Sequence, residues 1–132
     1  RHPVRLIFDL GFRLDLYCNA PGKALLAFAD SERRRHLMRA QSFRARTAKT
    51  ITDLARLERE LEQARSDGYA VDRGEDIEGA HCVAAPVHAP DGQVTAALVI
   101  AAPSQRMPEA DFPRLGRLVA ASGRQLTVRL SC

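Results

Sequence analysis

The stretch from His81 to Ala102 (HCVAAPVHAPDGQVTAALVIAA) consists of two apolar runs joined by Pro90-Asp91-Gly92-Gln93, and it restricts the fold of this chain more than any other segment. Asp-Gly between runs with strand character is the strongest short hairpin signal that a sequence carries. With Asp91-Gly92 as a two-residue turn, Pro90 faces Gln93, Cys82 falls opposite Ala101, and Ala84 falls opposite Val99. Side chains alternate faces along a strand. Cys82, Ala84, Val99 and Ala101 therefore share one face, and Val83, Ala85, Val87, Ala96, Leu98 and Ile100 share the other. Both faces are apolar, but the second is bulky and suits packing on helices. The first is made of small residues and leaves room, either for a ligand or for a neighbouring element of the fold.

A chain of 132 residues is one domain and buries roughly two-thirds of its unfolded surface. The composition is 45% hydrophobic and 27% charged, ordinary for a globular protein. The net charge of +4 is too small an excess to identify a nucleic-acid binder. No apolar run approaches the length of a membrane span, and no signal-peptide pattern is present. Three widely spaced cysteines without a CxxC pair favour a reducing cytoplasm over a disulfide framework. The chain is expected to be cytoplasmic and to have no membrane partner. It begins at Arg1 rather than Met, so it is read as N-terminally incomplete.

Taken in order, Val4 to Leu10 reads as a strand, Gly11 as a turn or bulge, and Leu14 to Tyr17 as a second extended piece. Asn19 is expected to cap a helix that runs to Phe28, with Pro21 in its first turn. The amides of that turn are suited to an anion or carboxylate, or the helix is an ordinary capped one. Asp30 or Ser31 caps a second helix reaching Ala40. Its Arg33-Arg34-Arg35-His36 run has only Phe43 as a nearby aromatic, and it reads as a solvated face. Asp53 caps the longest helix, with Leu54, Leu57, Leu61 and Ala64 on one face and Gly68 as its left-handed end. Tyr69 to Asp72 is a short strand, followed by a polar loop over Arg73–Gly79 and then the hairpin. Met107-Pro108-Glu109 opens a last helix with a stripe of Phe112, Leu115, Leu118, Val119 and Ser122. Leu126 and Val128 lie beyond Gly123. Strands are not separated by regular crossover helices. The fold class is α+β, an antiparallel sheet with helices packed on it, mostly on one side.

From Leu14 onward the chain resembles the effector-binding domain of the IclR family of bacterial transcription regulators. The likeness is carried by NAPGKALLAF (Asn19–Phe28), by Thr50-Ile51-Thr52-Asp53 with the helix ending in Gly68-Tyr69-Ala70-Val71-Asp72, and by Glu78-Gly79-Ala80-His81-Cys82-Val83-Ala84-Ala85-Pro86-Val87. The Asp-Gly hairpin and Ala102-Pro103-Ser104-Gln105-Arg106-Met107 complete it. The set runs in order over nearly the whole chain. The resemblance implies a GAF-like (profilin-like) fold that binds a small-molecule effector, assembles as a homo-oligomer (dimer or tetramer), and performs no catalysis. It implies DNA contact only through an N-terminal winged helix-turn-helix domain, absent here, so residues 1–132 are the effector-binding domain. No cofactor and no metal are implied. Cys18, His36, His81 and Cys82 have no recognised ligand spacing.

The resemblance places the effector on Leu14, Asn19, Ala20, Asp72, Cys82, Val99 and Ala101, with Leu6 as a further wall. Backbone amides at Asn19 and Ala20 would meet a carboxylate. The face derived from the hairpin register contains Cys82, Val99 and Ala101 independently. The family often has hydroxyls at the positions of Val99 and Ala101, commonly Thr or Ser at Asn19 and Arg at His81, and a small residue at Pro21. Loss of two hydroxyls implies a less polar effector, an aromatic or aliphatic acid. Two rival readings are an oligomerisation module without a ligand and a thiol-dependent enzyme built on Cys82. The latter is opposed by His81, which adjacency in a strand turns to the opposite face.

Overall fold

The computed structural model describes Leu6 and residues 8–132. Of the strand expected over Val4–Leu10, Val4, Arg5 and Ile7 lie outside the described residues. The elements are α1 (Ala20–Phe28), α2 (Ser31–Arg39), α3 (Leu54–Asp67), β1 (Ala70–Arg73), β2 (Ala80–His88), β3 (Val94–Pro103) and α4 (Phe112–Leu130), the last entered through a 3-10 turn at Glu109–Asp111. The class is α+β, as expected. The extended piece at Leu14–Tyr17 is not a strand. Its polar groups are met by one side chain and one backbone carbonyl instead: the Gln41 amide oxygen accepts from the Leu16 amide at 2.9 Å, and the Tyr17 hydroxyl donates to the Arg44 carbonyl at 2.6 Å.

Local chemistry sets most helix ends. Asn19, Asp30 and Asp53 each accept a first-turn amide hydrogen bond at their N-caps. Gly68 closes α3 with φ of 88°, a left-handed conformation that suits glycine. No helix among the described residues is long and apolar enough to cross a membrane.

The sheet is antiparallel with strand order β1-β2-β3. The expected pairs Cys82–Ala101 and Ala84–Val99 are present. The turn itself is one residue off. Ala89, not Pro90, pairs with Gln93, its amide donating to the Gln93 carbonyl at 2.8 Å. The Gly92 amide closes the turn on the Ala89 carbonyl at 2.9 Å, with Gly92 at φ of 86°. This is a three-residue loop with a left-handed glycine, the next commonest hairpin connection. A register shift follows, His88 facing Val94 while Val87 faces Ala96. The extra residue, Thr95, restores the original pairing beyond it.

Helices cover both faces of the sheet rather than mostly one. The small face, with Cys82 and Ala84, packs with Ala20, Ala24 and Ala27 of α1 and with Leu57, Leu61 and Ala64 of α3. The bulky face, with Val83, Ala85, Leu98 and Ile100, packs on Phe112, Leu115, Val119 and Ala120 of α4. Both hairpin faces are apolar, so both need cover. Leu54, Leu118 and Val128, each expected on an apolar stripe, are more than half exposed.

Helix α4 runs through Gly123 to Leu130. The glycine serves close approach. A Cβ at Gly123 would stand 2.8 Å from the Pro86 carbonyl oxygen of β2. The Thr127 hydroxyl, one turn on, accepts from the His88 amide at 3.0 Å and binds the helix to the same strand. Replacing a mid-helix glycine by alanine ordinarily stabilises by about 1 kcal/mol. Here the collision with backbone reverses the sign, and Gly123→Ala is expected to destabilise by about 1–3 kcal/mol. Chemical denaturation checks this, and a variant as stable as the parent would show that α4 is free to shift.

Candidate functional site

One cavity gathers the sequence-derived candidates, and its geometry starts at the N-terminus of α1. The Asn19 amide oxygen accepts from the Gly22 amide at 2.7 Å, and its amide nitrogen donates to the Asp15 carbonyl. A Cβ at Gly22 would lie 2.5 Å from the Leu16 backbone, so only glycine lets the helix press this closely on the preceding segment. Lys23 follows, 1% exposed, with Nζ 2.8 and 3.0 Å from the two Glu75 carboxylate oxygens and 3.3 Å from Glu60. Glu75 is held in turn: its carbonyl accepts from the Thr50 hydroxyl at 2.6 Å, and its amide donates to Asp72 Oδ1 at 2.8 Å.

The sheet supplies the floor. Asp72 of β1 faces Cys82 of β2, and Cys82 faces Ala101 of β3, so the three form one row across the strands. Above this row is a cavity of about 350 Å³, open on one side. Phe8, Phe12, Leu14, Ile77 and Val99 form apolar walls; Ala80, Cys82 and Ala101 form the floor; Asp9, Asn19, Asp72 and Asp76 supply polar atoms, and Pro21 completes the rim. The size lies in the range of small-ligand sites.

Six of the seven candidate residues, Leu14, Asn19, Asp72, Cys82, Val99 and Ala101, line this cavity. Ala20 does not. It is fully buried in the core beside the cavity, and Leu6 is also not among the lining residues. The expected anion-binding turn is depleted as well. Pro21 has no amide hydrogen, and the Gly22 and Lys23 amides are taken by Asn19, which leaves at most the Ala20 amide for an incoming group. Sequence reasoning missed Phe8, Asp9, Phe12, Asp76, Ile77 and Ala80. Two carried a usable signal: Ala80 is two residues before Cys82 and shares its face, and Phe8 is two residues after the expected wall Leu6 in the strand expected there.

Burial dominates the electrostatics. Asp72 is 3% exposed, and its carboxyl is pushed up to about 7, chiefly by loss of solvent; the Glu75 amide opposes the shift, while the Glu75 charge adds to it. Burial, reinforced by Asp72, raises the Cys82 thiol to about 12, and burial with Asp76 raises the Cys18 thiol to about 12. A thiol that holds its proton this firmly is not a nucleophile near neutral pH. His81 is turned away from it, with Nδ1 2.8 Å from the Met107 carbonyl and its ring edge-on to Phe112 at 5.2 Å. His81 is therefore not placed to serve Cys82 as a base. Among the described residues no lysine or arginine lines the cavity. Arg46 pairs with Asp15 and reaches Asp76 Oδ1 at 3.5 Å.

Comparison with known proteins places this geometry in context. The family model described as bacterial transcriptional regulator IclR C-terminal matches residues 1–128. The HTH-type transcriptional repressor AllR of Escherichia coli (strain K12) is 35% identical over 127 residues, which cover 96% of this chain and 47% of AllR. The chain thus spans about half the length of the curated relatives it matches. The crystal structure of Thermotoga maritima IclR matches with a TM-score of 0.91 at 27% identity, over 99% of this chain and 53% of that one. A double mutant of the PobR inducer binding domain from Acinetobacter, in complex with 3-hydroxybenzoic acid, matches with a TM-score of 0.81 over 96% of this chain and 74% of that one. At 24% identity, that likeness is one of fold.

The raised Asp72 value makes folding pH-dependent. An aspartate in the unfolded chain releases its proton near pH 4. Folded Asp72 keeps it until about pH 7. Between those values the folded state binds more protons, so its stability falls as pH rises and levels off above the folded value. The loss is on the order of 4 kcal/mol. Asp72→Asn retains an oxygen for the Glu75 amide and removes the titration. It is expected to exceed the parent in stability at pH 8 and to lose that advantage at pH 5. Melting curves across this range check it; parallel profiles for the two proteins would show that Asp72 does not titrate there.

Proposed function

The chain belongs to the IclR C-terminal family of bacterial transcriptional regulators, and we propose that residues 1–132 form the domain through which such a regulator senses a small organic molecule. The observation that carries the reading is the cavity of about 350 Å³ over the Asp72–Cys82–Ala101 row. It is walled by apolar side chains and furnished with a few polar groups, the usual make-up of a small-molecule site. Leu14, Asn19, Asp72, Cys82, Val99 and Ala101 line it. The expected effector, an aromatic or aliphatic acid, finds its apolar body matched by Phe8, Phe12, Leu14, Ile77 and Val99. DNA is contacted by a separate N-terminal domain of the parent regulator in the cytoplasm, and the ligand acts on that contact from a distance. No chemistry is performed on the ligand.

The same domain assembles with copies of itself, as dimer or tetramer. Exposed Leu118, Leu126, Val128 and Leu130 on α4 support this part of the reading, because they sit outside both core clusters. Assembly without a ligand is the second reading these residues favour.

A thermal-shift screen against small organic molecules separates the two. A ligand at a hundred times its dissociation constant adds about 2.7 kcal/mol of stability. Ala101→Leu, which fills the cavity from an exposed position, is expected to abolish the shift while leaving the mass in light scattering unchanged. A cooperative transition that no small molecule moves would favour the assembly-only module.

A further inference from the structure

Helix α2 concentrates positive charge. Its sequence, SERRRHLMR, holds Arg33, Arg34, Arg35 and Arg39, and Arg44 follows it. At 3.6 residues per turn, the side that buries Met38 is opposite to Arg35, His36 and Arg39, which are exposed. Arg35 and Arg39 are one turn apart, so their side chains leave the helix side by side. Arg33 and Arg34 fall to either side, with their guanidinium groups on the Val94 carbonyl at 3.4 Å and the Ala29 carbonyl at 3.3 Å. Arg44 is exposed, but its backbone is held: its carbonyl accepts from the Tyr17 hydroxyl, and the Phe43 ring packs 5.2 Å from the Tyr17 ring. The ion pairs among the described residues use Lys23, Arg46, Arg73 and Arg114, and none reaches an arginine of α2 or Arg44. The carboxylates of the helix and its cap are Glu32 and Asp30, and Asp30 accepts from the Arg33 amide. Five arginines against these two carboxylates leave an excess of three positive charges.

Three properties of this face point to one class of partner. Its cations are arginines, whose planar fork binds phosphate through two parallel hydrogen bonds. It shows no exposed large apolar side chain, since Met38 is buried and Leu37 half-buried. A protein partner is anchored by such side chains, whereas a phosphate backbone needs none. No Phe, Tyr or Trp lies within α2 for unpaired bases to stack on, and the nearby Phe43 is taken by Tyr17.

We propose that the outer face of α2, with Arg44, is a docking surface for the phosphate backbone of duplex DNA. It adds a sequence-independent contact to the reading above, in which a separate N-terminal domain of the parent regulator contacts DNA. None of its arginines lines the effector cavity. Neutralising three phosphates releases their counterions, so the slope of log affinity against log salt is about −2.7. Affinity then falls about fortyfold between roughly 50 and 200 mM salt.

The test is the fluorescence anisotropy of a labelled DNA duplex of about twenty base pairs and mixed sequence, titrated with the 132-residue chain across that salt range. The chain is expected to bind with that slope. Arg35→Gln combined with Arg39→Gln should weaken binding at about 50 mM salt by at least about tenfold and make the slope shallower by about two. Arg117→Gln combined with Arg124→Gln removes the same charge from exposed positions of α4 and should leave the slope unchanged. Arg44→Gln alone, outside any helix, should make the slope shallower by about one, a readout that stands even if the α2 double variant loses its cooperative melting. No binding at about 50 mM salt overturns the proposal, and so does binding that salt does not weaken. Equal losses from the α2 and α4 pairs also overturn it, because overall charge would then account for the affinity. If the α2 pair changes the mass in light scattering and leaves DNA binding intact, the face belongs to a second copy of the chain and the proposal falls. The thermal-shift screen for the effector is independent of all these outcomes, so failure here leaves the effector reading standing.

Discussion

The buried ion pair between Lys23 and Glu75 is the contact on which the rest of the site depends. Both side chains are almost fully buried, at 1% and 3% exposed, and the two carboxylate oxygens share the ammonium at 2.8 and 3.0 Å. A buried pair contributes little net stability over an apolar substitute, but leaving one partner alone costs about 3–5 kcal/mol. Its effect is therefore positional. The pair ties α1 to the loop after β1 with a geometry that neither element specifies alone. Because the Glu75 amide also donates to Asp72, the pair fixes the carboxylate at the cavity floor. Thr50 braces the same loop through the Glu75 carbonyl.

The cavity exists because three strands place small side chains in adjoining rows. Asp72, Cys82 and Ala101 stand in one row; Ala70, Ala84 and Val99 stand in the next. Around Ala84 the alanines of α1 close on the sheet and exclude solvent. Toward Ala101 only Pro21 of α1 reaches the cavity, and the volume stays open under Phe8, Phe12 and Leu14. The desolvation that raises the Asp72 carboxyl comes from the same enclosure.

The opposite face is built for rigidity. Helix α4 lies close enough to β2 that Gly123 meets the Pro86 carbonyl and Gly116 meets the Tyr69 ring, with no space for a Cβ at either. The α4 residues that miss the sheet, Leu118, Leu126, Val128 and Leu130, stay exposed. The sheet is thus covered from behind by one long helix packed against β2 and β3.

By itself the sequence determined what short-range chemistry controls. Asn19, Asp30 and Asp53 read as caps because a short polar side chain before an apolar period has few other uses. The hairpin face was legible because alternation and Asp-Gly together set a register, and the displaced turn was cancelled by the Thr95 bulge. The family was legible from the ordered motifs, which cover nearly the whole chain. The tertiary structure decided the rest. Phe12, Asp76 and Ile77 lie in irregular segments with no period to announce a face, and the mate of Lys23 is fifty-two residues away in sequence. The reason for a glycine at position 123 is the strand beneath it, of which a helix sequence carries no record. Signals between neighbours in the chain survive in the sequence, whereas a cavity is defined by what long-range packing leaves unfilled.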